Sequence, residues 1–293
     1  MSLSDKCIIT AALAGAATMK NQNPAVPYTT EEFVEEAYKC YNAGAAIVHI
    51  HARDPQTGLP TSSLEQLGEI VKGITEKCPI IINLSTAIGI GVAPEDRIQV
   101  VKTFKPEMAS LNTNSMNFAL GDWKNHVVLG ETVFTNTFAM LTEFAAAMRD
   151  AGTKPELEVY DLGGIYNTLF VAEQEGLFVK PLHFQFVWGV LGGAWFDLAN
   201  FHRFMELIPE GSTWSTCGVG PAQFRGAFHA AVEGGHIRCG LEDNVTIKKG
   251  VLAEGSWQQV EKMAKIVELA DREVATPDEA RQMLGLKGGP ELP

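Results

Sequence analysis

Ala45-Ala46-Ile47-Val48-His49-Ile50-His51-Ala52-Arg53-Asp54 is a short apolar strand that runs into ionisable residues. Its small and β-branched residues suit a strand buried on both faces. Alternate side chains of a strand share a face, so His49 and His51 point the same way. Pro55 and Gly58 then break the run. Two co-directed imidazoles at a strand's C-terminal end, with an arginine and an aspartate just beyond, suggest a metal site. Paired histidines can also be semi-buried groups bonded to carbonyls, and the motif alone does not choose between the two.

The same strand sits inside a repeating pattern. Before it, an apolar strand at residues 7–12 leads through a loop to a helix, capped by Thr29 or Thr30, that runs to Gly44. After it, a helix begins near Thr61-Ser62-Ser63. Further strands are predicted at 79–85, 108–112, 156–161, 182–187, 212–216 and 236–240, and each is followed by a helical stretch. Residues 113–134 read as an irregular loop. Residues 276–285 read as a terminal helix capped by Thr276, opening a helical tail over 276–293. Eight strand–helix units in 293 residues match a single α/β domain over 1–293, a (β/α)8 TIM barrel with a short C-terminal helical extension. A doubly wound open sheet is the alternative. It would want Gly-x-Gly-x-x-Gly after the first strand, and Leu13-Ala14-Gly15-Ala16-Ala17 does not provide it.

Composition narrows the function classes. With 35 acidic against 23 basic side chains the net charge is −12, which argues against nucleic-acid or anionic-membrane partners. A local cation cluster still allows an anionic substrate. Five scattered cysteines without a Cys-x-x-Cys pair, no secretory leader and no apolar run of about 18 residues point to the reducing cytoplasm.

In such a barrel all strand C-termini share one rim, where catalytic residues gather. The polar residues there are His49 and His51 on strand two, Asn83 and Ser85 on strand three, Ser110 and Asn112 on strand four, Glu158 on strand five and Arg238 on strand eight. Glu242-Asp243-Asn244 follows strand eight. Two imidazoles and one carboxylate make a common catalytic zinc set, and Glu242 is the best third ligand. As an isolated feature Glu242-Asp243 could equally be a solvated turn, but an inward Arg238 could pair with Asp243 beside the metal. Glu158 is costly to bury without a partner, so a site or a structural ion pair accounts for it. Gly218-Val219-Gly220-Pro221, Lys248 and Lys249 are weaker candidates for phosphate contacts.

These residues resemble the beta-keto acid cleavage enzyme family, whose founding activity is 3-keto-5-aminohexanoate cleavage. The resemblance rests on residues 49–54, Asn83-Leu84-Ser85-Thr86, 108–112, 155–161 and 236–244, and it spans nearly the whole chain. It implies a zinc-dependent barrel that condenses a β-keto acid with acetyl-CoA to give acetoacetate and a new acyl-CoA. By position, His49, His51 and Glu242 would hold zinc, and Arg238 with Asp243 would generate the enolate with Ser85 near the transferred proton. Glu158, Ser110, Asn112 and Asn83 would meet the substrate. A homo-oligomer, a tetramer, is implied as well. Relatives that take an amino-bearing keto acid carry an acid near the position of Ala17, so a substrate tail without an amino group is expected here.

Two rival readings stay open at this point. A zinc amidohydrolase also uses His-x-His, but on the first strand and with histidines on strands five and six. A metal- or acyl-CoA-binding protein without activity would leave Arg238, Asp243 and Glu158 unexplained.

Overall fold

The computed structural model describes residues 2–287 apart from Ile90, Trp123, Lys124 and Glu175. Eight parallel strands, β1 (Ile9–Ala12), β2 (Ile47–Ile50), β3 (Ile81–Leu84), β4 (Met108–Asn112), β5 (Lys154–Val159), β6 (His183–Trp188), β7 (Thr213–Gly218) and β8 (His236–Cys239), pair in chain order and close into a barrel. The helices between and after them are α1 (Thr30–Asn42), α2 (Leu64–Lys77), α3 (Pro94–Phe104), α4 (Phe138–Ala151), α5 (Leu162–Ala172), α6 (Leu198–Leu207), α7 (Ala222–Val232), α8 (Ser256–Leu269) and α9 (Pro277–Leu284). The predicted (β/α)8 architecture is therefore the observed one. Among the described residues no helix is long and apolar enough to cross a membrane.

Local chemistry sets the helix starts. Thr29 accepts from Glu32 N while the Glu32 carboxylate returns to the Thr29 amide, a reciprocal cap on α1. α3 opens on Pro94, where the missing N–H costs nothing. Outward strand residues such as Ile9, Val48, Ile82, Leu157, Phe184 and Ile237 are buried under the helices and form the main core. Each such side chain contributes roughly 1.5–3 kcal/mol.

The inward residues divide along the barrel axis. At the N-terminal end Ile8, Ile47, Ile81 and Met108 form an apolar floor, which α9 covers with Ala280 and Leu284. Arg281 pins α9 there through a two-pronged bond to the buried Glu107, at 2.7 and 2.8 Å. Above the floor the interior is polar. Arg238 of β8 reaches Glu158 of β5 across the lumen, and Asn83 of β3 bonds Glu156 of β5. The predicted helical tail thus has a role as the barrel's stopper, and its residues 288–293 lie outside the described ones.

Three readings are corrected. Residues 113–134 are no plain loop, since Met116–Asp122 and Val127–Phe134 form an antiparallel hairpin after β4. Much of this hairpin is exposed, so no alternation of buried and exposed apolar residues marks it in the sequence. Strand five begins two residues earlier than predicted and ends at Val159, because Asp161 caps α5 by accepting from Gly164 N at 3.1 Å. The first predicted strand is two: Lys6–Cys7 pairs with Glu273–Val274, and only Ile9–Ala12 enters the barrel.

Candidate active site

β1 lies between β8 and β2, so the histidines and Glu242 come together only if the chain after β8 crosses the end of β1. Gly240 permits the crossing. Its φ is +148°, and a Cβ there would stand 1.9 Å from Ala12 O. The chain turns, Glu242 N donates to Ala12 O at 3.2 Å, and Asp243 N and Asn244 N both donate to Gly240 O. Gly15, just past β1, then makes room for the Glu242 side chain. A Cβ at Gly15 would lie 2.5 Å from Glu242 Cγ. Thr18 Oγ1 anchors the same turn by donating to Glu242 O at 2.9 Å.

The result is a trio. Glu242 Oε1 lies 3.7 Å from His49 Nε2 and 3.4 Å from His51 Nε2, and one donor atom from each residue falls within 4.8 Å of the others. Beside it stands Arg238, which is 4% exposed. Its Nε and Nη2 donate to Asp243 Oδ2 and Oδ1, both at 2.9 Å. Nη2 also donates to Glu242 Oε1 at 2.6 Å, and Nη1 to Glu158 Oε1 at 3.4 Å. Tyr160 closes the cluster by donating to Glu158 Oε2 at 3.5 Å. One guanidinium therefore faces three carboxylates.

Protonation follows from burial and from that shared cation. Burial works to raise the Glu242 pKa, but Arg238 and the two imidazoles outweigh it and hold the carboxyl well below its ordinary range. Burial, reinforced by the Arg238 charge, drives His49 well below the usual imidazole value. Glu158 is pushed up to about 8 by burial, against the pull of Arg238. Asp243 is raised by burial for the same reason, again opposed by Arg238. An ionised carboxylate beside a neutral imidazole is the donor chemistry a divalent metal requires. Glu242 Oε2 and the Nδ1 atoms of His49 and His51 are buried without hydrogen-bond partners. A carboxylate oxygen left bare at this depth is costly, and a cation would relieve it. The residues fit a metal.

The remaining expected residues divide. Ser85 is buried and shares a small cavity of about 10 Å³ with His51, and its Oγ accepts from Ala87 N at 3.1 Å. Both polar atoms of the Asn112 side chain are buried and unbonded, so they keep their full capacity for a ligand. Ser110 is already occupied, because its Oγ accepts from Thr86 N at 3.1 Å and its carbonyl from Thr86 Oγ1 at 2.8 Å. Asn83 sits below the rim and donates to Glu156 Oε2 at 2.8 Å. The structure thus ties Ser110 to Thr86 and the Asn83 amide nitrogen to Glu156, while Asn83 Oδ1 stays buried without a partner.

Glu156, Gln185 and Arg53 were missed as site residues. Glu156 stands two residues before Glu158 on the same strand, so the periodicity that paired His49 with His51 places it on the same inward face, though it does not reveal its role. Gln185 stands in register with Glu158 on the neighbouring β6 and donates to Glu156 Oε1 at 2.8 Å. Arg53 is fully buried and donates to Gly15 O, Thr18 O and Gly58 O, which clamps the loop after β1 against the loop after β2. Nothing in its own sequence position announces that clamp.

Known proteins share this sequence pattern and this fold. The family model described as beta-keto acid cleavage enzyme matches residues 6–286. The chain is 43% identical to a 3-keto-5-aminohexanoate cleavage enzyme of Fusobacterium nucleatum subsp. nucleatum, covering 97% of this chain and 100% of the relative. It is 36% identical to the 3,5-dioxohexanoate:acetyl-CoA acetone transferase of Paraburkholderia graminis, covering 98% of both chains. Among solved structures, ObcA in binary complex with oxaloacetate superposes with a TM-score of 0.72 at 24% identity, over 90% of this chain and 68% of that one, a likeness of fold.

Proposed function

The chain belongs to the beta-keto acid cleavage enzyme family and is a β-keto acid:acetyl-CoA transferase, and from that premise we propose that it works with zinc and releases acetoacetate and a new acyl-CoA. The observation that carries this reading is the shared oxygen at the centre of the site. Glu242 Oε1 faces both imidazoles and also accepts from Arg238, whose other edge holds Asp243. A metal held by His49, His51 and Glu242 would supply Lewis-acid polarisation of a keto oxygen.

The chain's own groups account for the proton. Asp243, its pKa raised by burial, takes a proton from the carbon between the keto and carboxylate groups of the substrate. Arg238 holds Asp243 in a fixed two-pronged geometry and faces the negative charge that develops. The carbon nucleophile attacks the acetyl thioester, a carbon–carbon bond forms, and CoA leaves as thiolate. That thiolate attacks the original keto carbon and breaks its bond to the adjacent carbon. The products are the new acyl-CoA and the acetoacetate enolate, which recovers the proton from Asp243. Ser85 lies on the route of that proton, Glu158 and Asn112 contact substrate, and Ser110 and Asn83 shape the wall behind it.

The substrate tail is the finer question. Ala17 is exposed in the loop that Thr18 anchors to Glu242, and a methyl group there cannot pair an ammonium. This favours a neutral, apolar or anionic tail. A second reading has its own support, since the relatives at 43% and 41% identity, from Fusobacterium nucleatum and Acetoanaerobium sticklandii, are named for a 5-amino substrate. The same proposal takes the enzyme as a homotetramer, for which the exposed Val127, Val128, Leu129 and Val133 of the hairpin offer apolar surface. The test is acyl-CoA formation from acetyl-CoA across β-keto acids that differ in tail charge, before and after zinc removal and readdition. Turnover that survives complete zinc removal would overturn the metal's role, and a preference for the 5-amino acid over alkyl acids would overturn the reading of Ala17.

A further inference from the structure

Glu156 is fully buried in the barrel interior, two residues before Glu158 on β5, and among the groups assigned above to metal or substrate it hydrogen-bonds Asn83. Its two oxygens accept from two side-chain amides, Oε2 from Asn83 Nδ2 and Oε1 from Gln185 Nε2, both at 2.8 Å. Both amides turn their NH2 groups toward Glu156 and their oxygens away, the arrangement that suits its ionised form, which can only accept. The consequences run in two directions. Gln185 Oε1 is aimed at Arg238 Nη1, which donates to it at 3.2 Å. Asn83 Oδ1 is left buried without a partner, and so is His49 Nδ1 on the neighbouring strand, where the two residues stand in register. His49 presents its other nitrogen, Nε2, to Glu242.

We propose that Glu156 is a positioning residue whose carboxylate sets the orientation of two amides, so that Asn83 Oδ1 receives the Nδ1–H of His49 and Gln185 Oε1 holds Arg238. One buried acid thereby orients both the metal-facing imidazole and the guanidinium that grips Asp243. A histidine that binds metal through Nε2 is held in the required tautomer by an acceptor at Nδ1, and loss of such support lowers affinity or rate about 10–100-fold. Burial pushes the Glu156 carboxyl up to about 7, while Arg238 and the Asn83 bond pull it down. The catalytic half of this inference rests on the proposed function, but the amide orientation does not.

The test uses Glu156→Gln and the double variant Asn83→Asp with Glu156→Gln. In the single variant only one oxygen remains to face two NH2 groups, so one amide must flip. A flipped Asn83 sets an NH2 against His49, and a flipped Gln185 sets one against Arg238. In the double variant the carboxylate introduced at position 83 accepts from the amide NH2 introduced at position 156 and still offers an oxygen to His49. The oxygen of that same new amide accepts from Gln185. The expected result for the single variant is a kcat at least tenfold lower with KM within about twofold, and zinc bound at least tenfold more weakly in chelator competition. The double variant is expected to recover most of both losses. Nitrogen NMR of the metal-free protein reads the His49 tautomer directly. Nδ1–H should dominate in the wild type and the double variant and be mixed in the single variant. An unchanged tautomer across all three proteins, or a double variant no better than the single one, overturns the proposal. If the tautomer follows this pattern but no protein forms acyl-CoA, the failure lies with the proposed function and not with the amide relay.

Discussion

Arg238 and Asp243 face each other edge to edge, with Nε–Oδ2 and Nη2–Oδ1 both at 2.9 Å inside a buried pocket. Two parallel bonds fix direction as well as distance, which a lysine ammonium cannot reproduce. Arg238→Lys is therefore expected to lower kcat by at least 100-fold and to reduce stability by about 3 kcal/mol, because carboxylates remain buried without their fork. Steady-state kinetics with a urea melt checks both. A variant with near wild-type kcat would remove the dyad from the mechanism.

His49→Ala takes away one donor of the trio. Zinc per chain, measured by plasma emission after dialysis, should fall severalfold, with the fold intact by circular dichroism. Undiminished zinc content would sink the ligand assignment.

Gly15→Ala places a methyl 2.5 Å from Glu242 Cγ, closer than side chains tolerate. Glu242 must swing away from the histidines, so zinc affinity should fall at least tenfold while the melting temperature changes by only a few degrees. Equal affinity in chelator competition would show that Glu242 is free to hold metal from another position.

His236 gives the stability a pH dependence of known sign. Its Nδ1 accepts from Ile8 N at 3.2 Å, and burial, with a contribution from Arg272, lowers its pKa from 6.5 to about 3. The folded value lies below the unfolded one, so below pH 6.5 the unfolded chain binds a proton that the folded chain refuses. Stability is then lost as pH falls from 6.5 toward 3, by up to about 1.4 kcal/mol per pH unit. His183, also driven low by burial, acts in the same direction. His236→Asn should flatten this slope in urea unfolding at about pH 5, 6 and 7. Parallel slopes for variant and wild type would contradict it.

Arg281→Ala releases α9 from Glu107, a carboxylate only 2% exposed. A loss of about 3 kcal/mol is expected, since the stranded carboxylate is buried. The stopper lies at the end of the barrel opposite the site, so kcat per folded molecule should stay within twofold. A large fall in kcat with unchanged stability would mean that α9 serves the chemistry rather than the floor.

Much of this was legible in residue order because strand and helix periodicities are local. Eight alternations and their capping residues declare the barrel, and His49 with His51 needs only a period of two. The hairpin at 116–134 escaped because an exposed ribbon has no buried face to impose alternation. Glu156 and Gln185 escaped for a different reason. A polar residue on an inward face is recognised as important only when its partner is known, and the partners lie on other strands, 29 to 73 residues away.

The amino-acid order by itself determined the fold class, the co-directed histidines and an acidic turn after the last strand. Only the tertiary structure decided that Glu242 reaches those histidines, because that meeting depends on β1 lying between them and on the missing side chains of Gly15 and Gly240. It likewise decided that one guanidinium is shared among Asp243, Glu242 and Glu158. Arg238 and Glu158 stand 80 positions apart in the chain, and such charges influence one another only after closure of the barrel removes the water between them.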